Sequence, residues 1–441
     1  MRLALIADAR SPIAQGWFRA AQRIGCDVHL LSTHPSGEHL PGSLCLPTLP
    51  VTVGRLGMTN LMPRPPQVAR SPVEAVRVQQ ESATTGATDS PRARYMRELR
   101  LVAELMHRPL FSRQLAVALD RIRPDVVHAL RIPYEAILAV PLMQRRPEPF
   151  AVSIWGNDLT LFAQNSPRFL RWTRSVLRRA DGLQADCVRD LHLAREAEYG
   201  FSATRPWLLA PTSGGVDGSV FNVDGDRAAI RRSMKIAQGA PVVFNPRGIR
   251  GYVRNDMFVR AIPHLLRAHP DLVVFAVGTS TNAPLRELAA QLGVAAHVRF
   301  LDSVTQPAMA DLFRAADVSV SPSVQDGTPN SLIEAMACGS FPVAGDLPSI
   351  REWIEPGVNG LLVDVNSPVS IARGLDLALS DPVLRSSART YNLRLVSARA
   401  NSGRVQGRIE AFYNAVLTQR NQTSDKLQQA PAAVRWPELD L

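Results

Sequence analysis

Two carboxylates flank a predicted turn and helix start within residues 321–364. Asp326 stands eight positions before Glu334, and residues 327–329 lead from the first acid into an apolar run with helical periodicity. The first backbone N–H groups of a helix have no partner inside the helix, so a turn that enters a helix forms an anion site. Two carboxylates beside such a site suit a ligand with both phosphates and hydroxyls, and a nucleotide-sugar is a ligand of this kind.

Strands and helices alternate on both sides of this segment. Apolar runs predict strands at 3–7, 27–31, 124–128, 150–154, 182–185, 241–245, 272–278, 297–301 and 317–321. Helical periodicity predicts helices at 17–24, 96–122, 134–144, 167–180, 255–268, 284–292, 307–315 and 403–418. This alternation predicts an α/β protein with parallel, doubly wound sheets.

The two series of strands indicate two Rossmann-like domains. We expect a first domain over 1–210, interrupted at 62–94 by a mobile insertion rich in Pro, Ser, Thr, Gln and Arg. We expect a nucleotide-sugar-binding domain over 211–402. The helix at 403–418 is predicted to cross back to the first domain, and the polar tail 419–441 is predicted to be disordered.

Length and composition agree with this organisation. A chain of 441 residues with 46% hydrophobic residues is long enough for two globular domains. The four cysteines are scattered and form no CxxC pair or zinc-type spacing with histidine, which favours a reduced, cytoplasmic protein. The first residues do not resemble a signal peptide, and no apolar run is long enough to span a membrane.

The net charge of +11 is concentrated in the first half of the chain. Residues 1–210 hold 27 basic and 18 acidic residues, a net +9. This surface could face anionic lipid headgroups or a phosphorylated acceptor, or it could be a solubilising, arginine-rich surface. Nucleic acid is not expected as a partner, because aromatic residues are not interleaved with the basic ones.

Four groups of residues together resemble the C-terminal signature of the retaining family 4 glycosyltransferases (glycosyltransferase group 1). The groups are Ser321-Pro322-Ser323, Asp326-Gly327-Thr328-Pro329, Glu334-Ala335-Met336-Ala337-Cys338-Gly339 and Pro342-Val343. Supporting marks are Gly215-Val216-Asp217 with Phe221, Arg247 after a strand, and the run 357–363. The resemblance implies the GT-B fold, in which two facing Rossmann-like domains hold the active site in a cleft.

The resemblance also implies roles for the donor-site residues of the second domain. Arg247 would neutralise the leaving diphosphate, which gains charge as the glycosidic bond breaks. Glu334 would accept hydrogen bonds from the ribose hydroxyls. The residues implied to contact the donor sugar and diphosphate are Gly327, Thr328, Pro329, Asn330 and Ser331.

Asp326 departs from the usual glutamate of the family. Its carboxylate is one methylene shorter, but it can still bind a sugar hydroxyl directly or through water. The other interpretation is an Asx-type residue that caps the turn at 327–330.

The lysine that the family normally carries after the phosphate-binding arginine is also replaced. No lysine lies between Lys235 and Lys426, so Arg250 and Arg254 are the candidates. We favour Arg254 as a third catalytic residue because it opens the next helix, although a plain surface charge is the other interpretation. Arginine for lysine is not a neutral exchange, because the guanidinium is larger and planar.

Acceptor contacts are expected at the carboxyl ends of strands in the first domain, where open α/β sheets bind ligands. The loop 11–16 offers Gln15 and Gly16. The other candidates follow later strands: His128, Arg131, Trp155, Asn157 and Asp158. Trp155 stands where the family often has histidine, which favours packing or sugar stacking there. A lone histidine such as His128 is more often structural than functional.

The helix at 168–179 combines five arginines with apolar residues. It could lie on a membrane surface, or it could be a solvated helix that covers the sheet. The second interpretation is favoured because such helices are a regular part of a Rossmann layer.

These observations lead to one expectation and two alternatives. We expect a cytoplasmic enzyme that transfers a sugar with retention to a glycan or lipid-linked acceptor, either free in the cytoplasm or at the inner face of the membrane. We expect no cofactor and no metal. The alternatives are a nucleotide-sugar epimerase of similar architecture, which would need a carboxylate such as Asp158, and a non-catalytic nucleotide-sugar-binding protein.

Overall fold

The computed structural model of the protein describes residues 1–34, 43–46, 108–165, 167–422 and 433–434. These residues form two compact units. The first unit holds the residues up to Gly215 and those from Arg399 onward, and the second holds Val216–Ala398. The segment 62–94, where the sequence predicts a mobile insertion, lies outside the described residues.

A parallel sheet forms the centre of the first unit. Its described strands are β1 Arg2–Ala7, β2 Asp27–Ser32, β3 Ser43–Cys45, β4 Val126–Ala129, β5 Phe150–Ile154, β6 Gly182–Ala185, β7 Trp207–Leu209 and β14 Ala433–Val434. Their order across the sheet is β3-β2-β1-β4-β5-β6-β7-β14, and every neighbouring pair is parallel. The chain order reverses between β1 and β4, where Ala4 lies beside Val127.

A second parallel sheet forms the centre of the second unit. Its strands are β8 Val242–Asn245, β9 Val273–Val277, β10 Val298–Leu301, β11 Val318–Ser321, β12 Phe341–Gly345 and β13 Leu361–Val363. They are arranged as β10-β9-β8-β11-β12-β13. The reversal of chain order here falls between β8 and β11. The two sheets therefore repeat one topology and confirm the predicted pair of Rossmann-like units.

Helices connect the strands on both faces of each sheet. In the first unit they are α1 Pro12–Arg23, α2 Arg108–Ile122, α3 Ile137–Met143, α4 Pro167–Arg179 and α5 Val188–Arg195. The following helices are α6 Arg227–Ser233, α7 Asn255–Leu265, α8 Ala283–Gln291, α9 Gln306–Ala315, α10 Asn330–Ala337, α11 Pro368–Ser380, α12 Pro382–Arg399 and α13 Ser402–Gln422. Short π- or 3-10-helical segments lie at Ile132–Ala136, Asp158–Phe162, Ala163–Asn165 and Ala295–His297.

The helices cover the sheets because the central strands are apolar on both faces. Residues 126–129 and 150–154 are buried throughout, as parallel strands covered by helices require. The last long helix, α13, packs on the first sheet: its Ile409 and Phe412 share a core with Leu3 and Leu5. The chain thus returns to its first unit after building the second.

The structure corrects the predicted elements at both ends of the chain. Helix α1 begins at Pro12, with proline in the first helical turn, so most of the predicted loop 11–16 is helical. Residues 419–422 belong to α13, and β14 pairs with β7, so the tail is ordered at these positions. Of the predicted helix 96–122, residues 108–122 are described and helical, and the rest lies outside the described residues.

Candidate functional site

Two loops meet where the second sheet reverses its chain order. The loop after β8 (246–254) and the loop after β11 (322–329) start on neighbouring strands. The Arg254 N–H donates to the Pro322 carbonyl at 2.7 Å, and the Val324 N–H donates to the Tyr252 carbonyl at 2.9 Å. Open α/β sheets bind ligands at this kind of switch point, at the carboxyl ends of the strands.

An ion pair between Arg247 and Asp326 lies at this switch point. The Arg247 Nη2 donates to Asp326 Oδ2 at 2.7 Å, and Nη1 donates to Ser331 Oγ at 3.3 Å. The two charged side chains are only 15% and 11% exposed. The Arg247 N–H donates to the side chain of Asn245, which fixes the start of the loop. The fold therefore brings together three residues that the sequence predicts for the donor site.

Glu334 lies on α10, one turn beyond Ser331, and the positive charge of Arg247 acts on its carboxyl group. Burial raises the pKa of Glu334 to about 7, and the positive charge of Arg247 partly opposes this rise. A carboxyl group with this pKa exists in both protonation states near neutral pH, so it can accept or donate hydrogen bonds. Such a group can bind hydroxyls as well as basic groups.

The turn before α10 is held in place by the residues around it. Pro329 is the N-cap residue with extended backbone, so α10 begins at Asn330. The Thr328 hydroxyl accepts a hydrogen bond from Trp353 Nε1 at 2.9 Å, and Ser349 Oγ donates to the Asp326 carbonyl at 2.7 Å. Gly327 is buried within this turn. The described contacts of the Thr328 side chain therefore support the turn.

Arg254 contacts residues away from the ion pair. Its guanidinium donates to Asp256 Oδ1 at 3.2 Å and to the side chain of Asn366. Arg250 is exposed and donates to the carbonyl of Ile249. A role for either arginine in place of the family's lysine stays a prediction. A ligand that binds one of them would have to share the guanidinium with the partners named above.

The two acceptor candidates near β1 lie in helix α1. Gln15 Nε2 donates to the Ala9 carbonyl at 3.0 Å, which ties the helix to the end of the strand. At Gly16 an added Cβ would lie 2.4 Å from the Ser213 carbonyl oxygen. Glycine is therefore required here by the close approach of two backbone segments, and its predicted acceptor contact stays a prediction.

His128 belongs to the core of the first unit. It is 0% exposed, and burial lowers its pKa to about 3, so the imidazole is neutral. Its Nδ1 lies 2.8 Å from the Tyr413 hydroxyl and its Nε2 lies 2.9 Å from Ser153 Oγ. Trp17 Nε1 donates to the same tyrosine hydroxyl at 2.9 Å. A buried network uses both ring nitrogens, which favours a structural role for His128, and its acceptor contact stays a prediction.

Asp158 joins the ends of β4 and β5. It is 0% exposed; it accepts hydrogen bonds from Arg131 Nε and from the Ile132 and Trp155 N–H groups at 3.2–3.3 Å. Burial raises its pKa, and the charge of Arg131 partly offsets that rise. These contacts tie the loops after β4 and β5 together through Asp158, and its acceptor contact stays a prediction.

Arg131, Trp155 and Asn157 lie around this carboxylate. The Arg131 guanidinium is 5.6 Å from the centre of the Trp155 ring, and its side chain is 28% exposed. Trp155 is partly buried, and Asn157 is 6% exposed. Arg131 and Trp155 thus keep a surface that an acceptor could contact, as the sequence predicts.

Glu135 is a residue of this region that the sequence did not single out. It is 6% exposed, and burial raises its pKa to about 8 against the opposing charge of Arg131. The preceding residue, Tyr134, has a φ of 78°, a strained conformation for a non-glycine residue. The turn at residues 132–136 buries this carboxyl. The sequence predicts a helix there, and a single glutamate in a helix does not indicate a buried carboxyl.

A compact acidic group lies after β6. Ligand-capable atoms of Asp186, Cys187 and Asp190 lie within 4.8 Å of one another, and all three residues are buried. Arg189 donates to Asp190 Oδ1 at 2.9 Å, so a guanidinium supplies positive charge beside these groups. The other oxygen of this carboxylate, Asp190 Oδ2, is buried and has no hydrogen-bond partner among the described residues. The expectation of a metal-independent enzyme stays a prediction.

The arginine-rich helix α4 turns its apolar side toward the protein. Val176 and Leu177 are fully buried, and Phe169 and Trp172 pack against the same core. The Trp172 ring lies between the guanidinium groups of Arg108 at 4.4 Å and Arg168 at 5.9 Å. This packing favours the interpretation of α4 as a helix that covers the sheet. Among the described helices, none is long and apolar enough to cross a membrane.

Comparison with known proteins identifies the second unit. Residues 226–394 match the family model of glycosyl transferases group 1. The chain carries a glycosyltransferase group 1 domain. It is 33% identical over 222 residues to the D-inositol 3-phosphate glycosyltransferase of Geodermatophilus obscurus, covering 48% of each chain. It is 30% identical over 231 residues to the enzyme of the same name from Kribbella flavida, covering 50% of this chain and 53% of that one. The chain thus spans about half the length of these relatives.

Solved structures extend the likeness to the fold of both units. The sucrose-phosphate synthase of Thermosynechococcus elongatus superposes with a TM-score of 0.73 at 17% identity, over 95% of this chain and 100% of that one. Anabaena Alr3699/HepE in complex with UDP-glucose superposes with a TM-score of 0.66 at 14% identity, over 97% and 100%. The group 1 glycosyltransferase domain therefore stands in a chain with the GT-B fold, as the sequence motifs predict.

Proposed function

We propose that this protein is a retaining glycosyltransferase that moves a sugar from a nucleotide-diphospho-sugar to an acceptor hydroxyl. The observation that carries the proposal is the Arg247–Asp326 ion pair, with Ser331 at 3.3 Å from the arginine and Glu334 within its electrostatic reach. A cation for phosphates and two carboxyl groups for hydroxyls stand at one switch point. This combination matches both parts of a nucleotide-sugar.

The proposed roles follow from the charge that develops during transfer. The bond between the anomeric carbon and the diphosphate oxygen breaks, and a bond from that carbon to the acceptor oxygen forms. The acceptor proton leaves with the released diphosphate or passes to solvent. Arg247 and the first N–H groups of α10 would stabilise the negative charge that grows on the diphosphate. Asp326 would bind sugar hydroxyls, and Glu334 would bind the ribose.

The acceptor is proposed to meet the first unit near Arg131 and Trp155. A partly exposed guanidinium over an indole ring offers both hydrogen bonds and a stacking surface, which suits a glycan. The G. obscurus relative is named for a phosphorylated polyol, and the Anabaena structure contains UDP-glucose. For this chain we propose a glycan or lipid-linked acceptor in cell-surface polysaccharide or glycolipid synthesis, at the cytoplasmic face of the membrane. Retention rests on the likeness of residues 321–363 to retaining enzymes.

A two-step experiment tests the proposal. Thermal shift against nucleoside diphosphates and nucleotide-sugars identifies the donor, because a ligand that binds only the folded state raises Tm. NMR of the product with that donor then separates transfer with retention, isomerisation of the donor, and binding alone. Isomerisation would support an epimerase instead, and binding alone a nucleotide-sugar-binding protein.

Two variants test the site itself. Asp326→Ala and Glu334→Ala are each expected to abolish transfer. The control is Asp376→Ala, because that carboxylate is half exposed and pairs with His269 on the helical layer. Full activity in both site variants would show that the donor binds elsewhere.

A further inference from the structure

Asp326 and a diphosphate would need the same guanidinium. Both terminal nitrogens of Arg247 already donate hydrogen bonds, one to Asp326 Oδ2 at 2.7 Å and one to Ser331 Oγ at 3.3 Å. A diphosphate oxygen that binds Arg247 must therefore share or replace one of these partners. Asp326 is the anionic partner, so it is the direct competitor of the phosphate.

The competition is strong because the pair is largely removed from water. The side chains of Arg247 and Asp326 are 15% and 11% exposed, so solvent screens their attraction less than at an open surface. A carboxylate in this position also repels a phosphate that comes close to it. The site thus contains an acid that weakens binding of any bare anion.

A sugar on the diphosphate changes this balance in two ways. Esterification of the terminal phosphate lowers its negative charge, so the carboxylate repels it less. The sugar also brings hydroxyls that can donate to Asp326 and replace the hydrogen bond from Arg247. A free nucleoside diphosphate has the higher charge and lacks the hydroxyls of the transferred sugar.

We propose that Asp326 sets the preference of this site for a sugar-bearing diphosphate over the free nucleoside diphosphate. It holds Arg247 until sugar hydroxyls take the place of the guanidinium. After transfer, the carboxylate returns to Arg247 and favours release of the nucleoside diphosphate. This inference rests on the proposed function, since it assigns a selectivity to the same donor site.

Calorimetric titration of the full chain tests the proposal. The probes are ADP, GDP, CDP and UDP, the matching glucose-bearing nucleotide for the tightest of them, and inorganic pyrophosphate. Asp326→Asn is expected to bind the nucleoside diphosphate and pyrophosphate at least about tenfold more tightly, because the competing charge is removed. Binding of the sugar nucleotide should tighten less or weaken, so the ratio of the two affinities changes.

Two further variants serve as controls. Asp326→Glu restores a carboxylate and is expected to keep the preference of the wild type. Asp376→Asn removes the same formal charge from the half-exposed pair with His269, and its affinities should equal those of the wild type. Unchanged Tm in buffer for Asp326→Asn would show that the comparison is between folded proteins; if that variant does not fold, Asp326→Ser takes its place.

The outcomes separate this inference from the proposed function. If the wild type transfers sugar but Asp326→Asn binds the nucleoside diphosphate no more tightly, the inference is wrong and the function stands. Equal tightening for the nucleoside diphosphate and the sugar nucleotide also overturns it. If neither the wild type nor Asp326→Asn binds any of the nucleoside diphosphates or their glucose-bearing forms, the donor site and the inference fail together.

Discussion

The two switch points of this protein share a topology and use their polar residues differently. At the first, between β1 and β4, Asp158 and His128 are fully buried and hydrogen-bonded to neighbouring elements. At the second, between β8 and β11, Arg247 and Asp326 form an ion pair whose side chains are 15% and 11% exposed. The polar groups of the first switch point hold loops together. The charged groups of the second are those that we propose for the donor.

This comparison shows that strand order alone does not make a ligand site. Both sheets reverse their chain order beside the first strand of the unit. The difference lies in what the polar side chains already bind. A carboxylate that accepts three hydrogen bonds from its own fold, as Asp158 does, has little left to offer a substrate.

Removal of Arg247 should have the largest effect on activity, and it tests the second switch point of the comparison. Arg247→Ala is expected to lower kcat by roughly 10²–10³, the usual loss when one preorganised group that stabilises transition-state charge is deleted. The control is Arg351→Ala, since Arg351 forms a similar pair with Asp346 at 2.6 Å but is 55% exposed. Steady-state kinetics with the identified donor measures the effect. Equal losses in both variants would mean that Arg247 has no special role.

Glu135 provides a pH test of the first switch point. The pKa of Glu135 is about 8 in the folded protein and 4.5 in the unfolded chain. The contribution of this carboxyl to stability is therefore complete below pH 4.5 and is lost as pH rises through 8. Glu135→Gln should therefore gain stability relative to the wild type between pH 5 and 8, by roughly 1.4 kcal/mol for each unit of pKa difference. Urea unfolding at a series of pH values measures this change.

Glu148→Gln is the matched control for Glu135, with the opposite sign. Burial of Glu148 is outweighed by its hydrogen bond and ion pair with Arg146, so its pKa is lowered. Its contribution is present above the unfolded pKa and lost as pH falls, so this variant should lose stability relative to the wild type near neutral pH. A Glu135 variant whose stability relative to the wild type stays constant from pH 5 to 8 would contradict the burial of that carboxyl.

Tyr413 tests whether the network around His128 is structural. Tyr413→Phe leaves His128 Nδ1 and Trp17 Nε1 without their buried partner, so unfolding free energy should fall by about 1–3 kcal/mol. The KM for the acceptor should be unchanged. The control is Tyr391→Phe on α12, where the ring is partly exposed. Urea unfolding and transfer kinetics at varied acceptor concentration together give the answer, and a higher KM for the acceptor at unchanged stability would support the predicted acceptor contact of His128.

Glu334 should give a smaller pH-dependent change in stability than Glu135, because its pKa is raised less, and it sharpens the contrast with Glu135. Its pKa of about 7 is raised mainly by burial, so its contribution is complete below 4.5 and lost as pH rises through 7. Glu334→Gln should gain stability over the wild type from pH 5 to 7 and remain level above, whereas the Glu135 variant continues to gain up to pH 8. Thermal melts at matched pH values show whether the two variants stop gaining stability at different pH values.

Much of the fold could be predicted from local patterns. The buried strands at 150–154 and 182–185 lie where apolar runs place them, because a parallel strand covered on both faces needs an unbroken apolar sequence. The β14 pairing could not be predicted in this way, since two residues carry no periodicity. Helix α1 was predicted to start too late, because Ser11-Pro12 was interpreted as part of a loop rather than as a helix start.

The sequence by itself determined the two-unit α/β architecture and nominated Arg247, Asp326 and Glu334 for the proposed donor site, because strand–helix alternation and motif spacing are local properties. Only the tertiary structure decided which polar residues remain for a ligand. His128 is committed to Tyr413, 285 positions away, and Gly16 to the backbone of Ser213. Burial and hydrogen-bond partners depend on contacts between distant segments, and no local pattern records those contacts. The direct pairing of Arg247 with Asp326, across 79 positions, was decided in the same way.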